Sequence, residues 1–184
     1  MAELGYIVIG GVLWNNIVLT YLLGLFPFFG ERPGTVKANL CLGLATTAVM
    51  AVAVVASYGA HELVLVPLEL VYLKYLVTIL LLLMIVAAAD LLFRSYLQHL
   101  LPRIFLNSAV FGTVLLYLGN GNGLGEAVGT AIGFGLGLTA LLILVETIET
   151  RPETQLVPSW LRGMPLQFIT LGMLALAIAG FEGL

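Results

Sequence analysis

Carboxamides in apolar surroundings are the first chemistry this chain offers. Asn15 and Asn16 stand side by side just after Gly10 and Gly11, and Asn107 precedes Ser108 in a second apolar run. An unpaired carboxamide in hydrocarbon costs several kcal/mol, ~2–7 on transfer scales, so these side chains are expected to face protein. Two roles fit them. One is a broken helix near a membrane midplane, with freed backbone groups lining a cofactor or ion site. The other is interhelical hydrogen bonding that only holds helices together. Asp90 and Arg94 are four residues apart, an ion-pair spacing on a helix, and read as an interfacial anchor or as an entry site for a proton or cation. Asn15, Asn16, Asn107 and Asp90 are therefore the ion-path candidates.

The remaining reactive residue types offer less. Glu69 and Lys74 read as a second interfacial set, the lysine stem snorkelling. Glu146 and Glu149 are expected to be solvated at a span end. His61 and His99 fall on opposite membrane faces and cannot share a metal. Cys41, the one cysteine, excludes a disulfide scaffold and reads as a small buried apolar residue. Gly125, Gly129, Gly133 and Gly137 recur every four residues, a spacing that lets a neighbouring backbone approach one helix face. Gly119, Gly121 and Gly123 before them suggest an outer turn. A phosphate loop is not supported, because no strand precedes these glycines and no Lys-Ser/Thr follows. With no hydrolytic triad and no cluster of four metal-ligating side chains, neither a catalytic residue nor a metal ligand is assigned.

These residues must be positioned by membrane helices. Of 184 residues, 61% are hydrophobic and only seven basic and ten acidic residues are present, about 9% charge against roughly 25% in soluble domains. That excludes a soluble enzyme, and a net charge of −3 with no basic patch excludes a nucleic-acid binder. Apolar runs of about 20 residues match bilayer spans. Six are expected, near 5–25, 37–58, 70–93, 97–118, 124–145 and 164–181, joined by short connections into one integral membrane domain over 1–184. The first is no cleavable signal peptide, since no basic region leads it. Arg32, Lys37, Arg94, Arg103, Arg151 and Arg162 fall in the odd-numbered connections, against Lys74 alone on the other face. The positive-inside bias then makes those connections cytoplasmic and turns both termini outward. Six spans divide into two sets of three, so an internal pseudo-repeat, 1–95 and 96–184, would have its halves inverted. Phe29-Gly30 recurs as Phe111-Gly112, and Leu42-Gly43 as Leu124-Gly125, both 82 residues on, which pairs Phe26 with Ser108.

Longer motifs point to a family. Leu13-Trp14-Asn15-Asn16-Ile17-Val18-Leu19 leads into Leu23-Gly24-Leu25-Phe26-Pro27-Phe28-Phe29-Gly30, followed by Leu42-Gly43-Leu44-Ala45-Thr46-Thr47 and Pro67-Leu68-Glu69-Leu70-Val71-Tyr72-Leu73. Asn107-Ser108-Ala109-Val110-Phe111-Gly112, Val157-Pro158, Leu161-Arg162-Gly163 and a closing Gly180-Phe181-Glu182-Gly183-Leu184 complete the series. Over its whole length the chain resembles a family of membrane subunits, first the A-type member of the Rnf electron-transport complex. Second comes the homologous E-type member of the sodium-translocating NADH:quinone reductase. The resemblance implies an all-α polytopic fold of six transmembrane helices in two inverted three-helix repeats, helices 1 and 4 interrupted. It implies a homologous partner subunit of opposite topology, further Rnf-like subunits carrying flavins and iron–sulfur clusters, surrounding membrane lipid, and no nucleic acid. Its place is the bacterial cytoplasmic (inner) membrane, multi-pass, both termini on the outer, periplasmic side.

In relatives the two homologous subunits share a [2Fe–2S] cluster, each giving two cysteines, and this chain departs there. Phe26 and Ser108 occupy the cluster-ligand positions. Such clusters are held by thiolates, phenylalanine has no ligand atom, and Cys41 matches neither position. The expectation is thus a non-catalytic subunit of a redox-driven Na⁺ or H⁺ translocase, forming part of the electron and ion path without a securely bound cofactor of its own. The alternative is a stand-alone inverted-repeat transporter or channel without redox chemistry.

Overall fold

A backbone in hydrocarbon must satisfy its own N–H and C=O groups, which leaves long apolar segments the helix as their solution. The computed structural model describes residues 2–29, 35–97, 107–120, 123–151 and 156–180, and among the described residues all regular structure is helical. In chain order these are α1 (Ala2–Val12), α2 (Ile17–Tyr21), α3 (Phe26–Phe29), α4 (Val36–Ala60), α5 (Lys74–Leu97), α6 (Ser108–Asn120), α7 (Leu124–Glu149) and α8 (Met164–Ala179). Thr35 starts α4 by accepting the Ala38 N–H at 3.3 Å, a normal N-cap. A π-helical turn, His61–Leu65, carries α4 on without interruption, and a 3-10 turn, Val71–Leu73, leads into α5.

On length and composition, two helical stretches among the described residues can each cross a membrane: Val36–Leu65 with 30 residues and Leu124–Glu149 with 26. They correspond to the expected second and fifth spans and run past their expected ends, to 65 and 149. α5 begins at Lys74 rather than 70, because the chain first makes the 3-10 turn. The expected first span is not one helix but three pieces, α1 to α3. In the expected fourth span, 97–118, Asn107 is not helical and α6 starts at Ser108; residues 98–106 lie outside the described residues. Gly119 lies within α6 rather than in a turn, while Gly121, Arg32, His99 and Arg103 lie outside the described residues.

α7 is the hub, packed against α4 on one side and α1 on another. Glycine makes both contacts close. A Cβ on Gly133 would lie 2.8 Å from the Val8 carbonyl oxygen and 3.2 Å from Gly11 Cα, so two backbones meet there. Gly129 and Gly137 extend the same contact, whereas a Cβ on Gly125 would meet nothing within 4 Å. The glycine stripe is thus a packing face over three of its four residues. Toward α4 the device is reciprocal: Thr139 sits over Gly43 and Thr47 over Gly135, each threonine Cβ 2.7 Å from where the glycine Cβ would be. Both hydroxyls are satisfied within their own helices, Thr47 donating to the Gly43 carbonyl at 2.8 Å and Thr139 to that of Gly135 at 2.7 Å. Gly43 and Gly125, aligned by their sequence context, therefore occupy unlike surroundings; the packing counterpart of Gly43 is Gly135. Met50 and Val54 of α4, Val114 of α6, Phe134, Leu138 and Leu142 of α7, Ile17 of α2 and Phe28 of α3 fill the core between these helices.

Candidate functional site

The breaks in the first and fourth expected spans converge on α7. After α1 the chain turns through residues 13–15, and Asn16 adopts an extended conformation, φ −73° and ψ 126°, to start α2. Its side chain works in both directions. Oδ1 accepts the Val18 N–H at 3.0 Å, capping α2, and Nδ2 donates to the Val12 carbonyl at 3.0 Å, closing α1. One buried amide therefore satisfies backbone groups on both sides of the interruption, which are the groups a helix end leaves without intrahelical partners. Gly137 makes room for it: a Cβ there would run into Asn16 Nδ2.

Helix α2 ends almost at once. Leu22 takes the left-handed region, φ 55°, and the Leu22 and Leu23 N–H groups return to the Val18 and Ile17 carbonyls at 3.1 and 3.2 Å, the reach-back pattern of a left-handed C-cap. Two residues later Gly24 also has a positive φ, 85°. Here glycine is required twice, for its backbone angle and for space, because a Cβ would stand 2.9 Å from Ala109 Cβ and 3.2 Å from Asn107 Oδ1. The chain then enters α3 at Phe26.

The second break meets the first at this point. Asn107 Oδ1 accepts the Ala109 N–H at 3.1 Å and caps α6 as Asn16 caps α2. Ser108 Oγ accepts the Gly24 N–H at 2.9 Å, the hydrogen bond that ties the first break to the second. Asn107 is buried, and among the described residues its Nδ2 has no hydrogen-bond partner. The structure thus sets Asn16 against Gly137 of α7 and Gly24 against Leu138 of α7, with Asn107 and Ser108 meeting Gly24 from the other side. Phe26 opens α3 beside this loop with 40% of its surface exposed, while Pro27 and Phe28 are buried.

Other expected residues fall elsewhere. Asn15 is exposed on the surface of this chain, so the expectation that both adjacent amides turn inward holds for Asn16 alone. Asp90 lies in α5, and its side chain and that of Arg94 lie outside the described residues. Cys41 is exposed on α4 and not buried as expected, because Leu42 and Gly43 take the α7-facing positions. Glu146 corrects a further expectation. It is not solvated: α7 continues past it to Glu149, which keeps Glu146 at 6% exposure against α4, where Asn39 Nδ2 donates to its Oε2 at 3.3 Å. Glu149 is half-buried. Gly24, Leu22, Gly135 and the Asn39–Glu146 pair were not singled out from the sequence. Only Gly135 left a usable signal there, since Gly-x-x-x-Thr occurs at both 43–47 and 135–139.

Comparison with known proteins places the whole chain. The family described as "Rnf-Nqr subunit, membrane protein" matches residues 4–184. The A-type member of the ion-translocating oxidoreductase complex of Cereibacter sphaeroides is 35% identical over 191 aligned residues, which cover 100% of this chain and 98% of the relative. Its counterpart in Aeromonas hydrophila is 34% identical with the same coverage. The corresponding member of the Na⁺-translocating ferredoxin:NAD⁺ oxidoreductase complex of Acetobacterium woodii is 34% identical over 97% of this chain and 96% of its own length.

Proposed function

This chain belongs to the Rnf-Nqr family of membrane subunits, and from that premise we propose that it is an integral membrane component of an Rnf-like, ion-translocating oxidoreductase complex. It lies in the cytoplasmic membrane of a bacterium with both termini outward and forms part of the electron and ion path with a homologous subunit of opposite topology. The observation that carries this reading is full-length similarity to proteins named for such complexes. Its fold is six spans in two inverted repeats, 1–95 and 96–184. Supporting the repeat, Phe26 opens α3 and Ser108 opens α6, 82 residues apart, the separation of the Phe29-Gly30 and Phe111-Gly112 pairs. The Gly43/Thr47 and Gly135/Thr139 pairs are 92 apart, so the second half carries ten extra residues between its break and its central helix. Asn16 and Asn107 border the ion path in this reading, since each interrupts a span with an amide that can exchange backbone partners.

The resemblance implies a [2Fe–2S] cluster shared between homologous subunits, and the residues here do not fit it. Phe26 offers no ligand atom. Ser108 Oγ is engaged by the Gly24 N–H at 2.9 Å, and Cys41 sits on the exposed side of α4. This chain therefore offers no ligand set for that cluster. Its contribution is wall and scaffold, with flavin and iron–sulfur centres in partner subunits. Purification from native membranes should yield a multi-subunit complex containing flavin and iron; a stable lone homodimer would count decisively against the proposal.

The absent thiolates favour one second reading, an inverted-repeat transporter or channel that works alone. Ion or solute flux through the purified chain in liposomes, with no electron donor present, supports it. Absence of flux ends it.

A further inference from the structure

Helix α1 is 11 residues long, about 16 Å at 1.5 Å per residue, or roughly half of a ~30 Å hydrocarbon core. The turn at 13–15 that follows it therefore falls near mid-depth of the first span. Asn15 stands in that turn, exposed on the surface of this chain, and no hydrogen bond among the described residues uses its carboxamide. Lipid does not suit such a neighbourhood. An amide in hydrocarbon gives up its water without replacement, and irregular backbone at membrane depth is tolerated only against protein or beside a water-filled cavity.

The surroundings of Asn15 choose between protein and water. Trp14 lies back across α1, its Nε1 3.1 Å from where a Gly10 Cβ would be and its ring 5.8 Å from that of Tyr6. Thr20 Oγ1 donates to the Trp14 carbonyl at 3.3 Å, which sets the outward side of α2 beside the turn. Tyr21 and Leu22 follow there, 42% and 64% exposed. Apolar walls shed water from a narrow path, and this surface is mostly aromatic and aliphatic around one amide. Tyrosine and tryptophan enclosing a hydrogen-bonding group are instead the composition of a protein interface centre. The surface is also preformed: Asn16 fixes α2 at its start and the left-handed Leu22 at its end, so little freedom is lost on docking.

We propose that Tyr6, Trp14, Asn15, Thr20, Tyr21 and Leu22 form a docking face for a transmembrane segment of a neighbouring subunit. Asn15 Nδ2 donates there to a carbonyl or hydroxyl oxygen of that segment. The inference rests on the reading of this chain as one component of a membrane complex, but not on the redox chemistry of that complex. It gives the adjacent amides different tasks: Asn16 closes the break within the chain, and Asn15 faces outward to a partner.

The test uses the complex in its native membranes, with Cys41→Ser in place so that Asn15→Cys carries the single thiol of this chain. In sealed membranes that thiol should resist a small water-soluble maleimide, and react once detergent strips the neighbouring subunits away. Labelling in the sealed membranes makes the surface an aqueous path and overturns the proposal. A benzophenone amino acid in place of Tyr21 should, on illumination, join this chain to a membrane-spanning polypeptide of the same complex, identified by peptide mass. An adduct with lipid alone, or one of twice this chain's mass, overturns it. Asn15→Leu keeps the size and removes the donor: retention of that polypeptide through a detergent wash should fall about threefold to tenfold, the effect of one interhelical side-chain hydrogen bond in a membrane. The melting midpoint of the isolated chain should not move in that variant, and unchanged retention overturns the proposal. Capture of the expected neighbour in a complex free of flavin and iron would uphold the docking face and refute the redox reading instead.

Discussion

Alanine at Gly133 and alanine at Gly125 are the same chemical change, on one stripe of one helix, and should move stability in opposite directions. At Gly133 the new Cβ falls 2.8 Å from the Val8 carbonyl oxygen, 3.1 Å from Val8 Cα and 3.2 Å from Gly11 Cα. All three are backbone atoms, so no side chain can rotate away and α1 itself must withdraw from α7. Overpacking of this kind costs about 1–3 kcal/mol, offset by roughly 0.5–1 kcal/mol from replacing a mid-helix glycine. Taking mid-range values, the net expectation for Gly133→Ala is a loss of about 1 kcal/mol, and of up to about 2 kcal/mol if α1 cannot shift. At Gly125 nothing lies within 4 Å, and only the helix gain remains, at most about 1 kcal/mol. Thermal unfolding in one detergent, followed by Trp14 fluorescence with Trp160 replaced by phenylalanine in every variant, separates the two. Trp14 packs its ring 5.8 Å from that of Tyr6 on α1, so it reports the contact under test. For a chain of this size 1 kcal/mol shifts the midpoint by about 2–4 °C. Gly133→Ala should therefore melt about 2–8 °C below the parent, and Gly125→Ala at or slightly above it. Coincident midpoints for the two variants refute the reasoning, because they would mean that α1 does not lie on Gly133.

Two further outcomes follow from the buried amides. Asn16→Ala removes the acceptor of the Val18 N–H and the donor to the Val12 carbonyl, and should cost about 2–4 kcal/mol from the lost cap and the unsatisfied buried groups; Asn15→Ala, on an exposed residue, should stay within about 0.5 kcal/mol, and equal losses at both positions in a denaturation series would contradict the assignment of the cap. At the α4–α7 contact, Asn39→Ala deprives the buried Glu146 of its amide donor and should cost about 1–3 kcal/mol, while Asn39→Asp sets a second carboxylate against it and should be worse; an aspartate variant as stable as the parent in the same melt rules out the Asn39–Glu146 bond.

Periodicity and composition were enough to read helices, a membrane environment and a break near residue 15, because each depends on local sequence alone. What they could not show depends on partners. The adjacent amides Asn15 and Asn16 are alike as letters, and only the extended backbone at Asn16 decides which one turns inward to bridge Val12 and Val18. Glu146 looked like a solvated span end because about 20 apolar residues suffice to cross; the helix runs on to Glu149, and the residue opposite, Asn39, stands 107 positions earlier. Leu22 carries no turn signal whatever: an apolar residue in the left-handed region is held there by the reach-back bonds to Ile17 and Val18, which sequence does not display.

Position 108 shows how far a motif can mislead when one atom changes. By resemblance alone, Asn107-Ser108 reads as a ligand position without its ligand, and that suggests a vacancy. In the fold the serine hydroxyl has a different occupation, accepting the Gly24 N–H at 2.9 Å and so fastening the loop of the first break to the first turn of α6. Gly24 could not make that approach with a side chain, since Ala109 Cβ would be 2.9 Å away and its φ is 85°. The hydrogen bond, the glycine and the Asn107 cap are therefore one arrangement, and each member constrains the others. A thiol in place of the hydroxyl would accept the Gly24 N–H poorly, so Ser108→Cys would weaken the junction. The two breaks here are joined by a backbone-to-hydroxyl bond within one chain, so the serine at 108 serves to hold the loop after α2 against the start of α6.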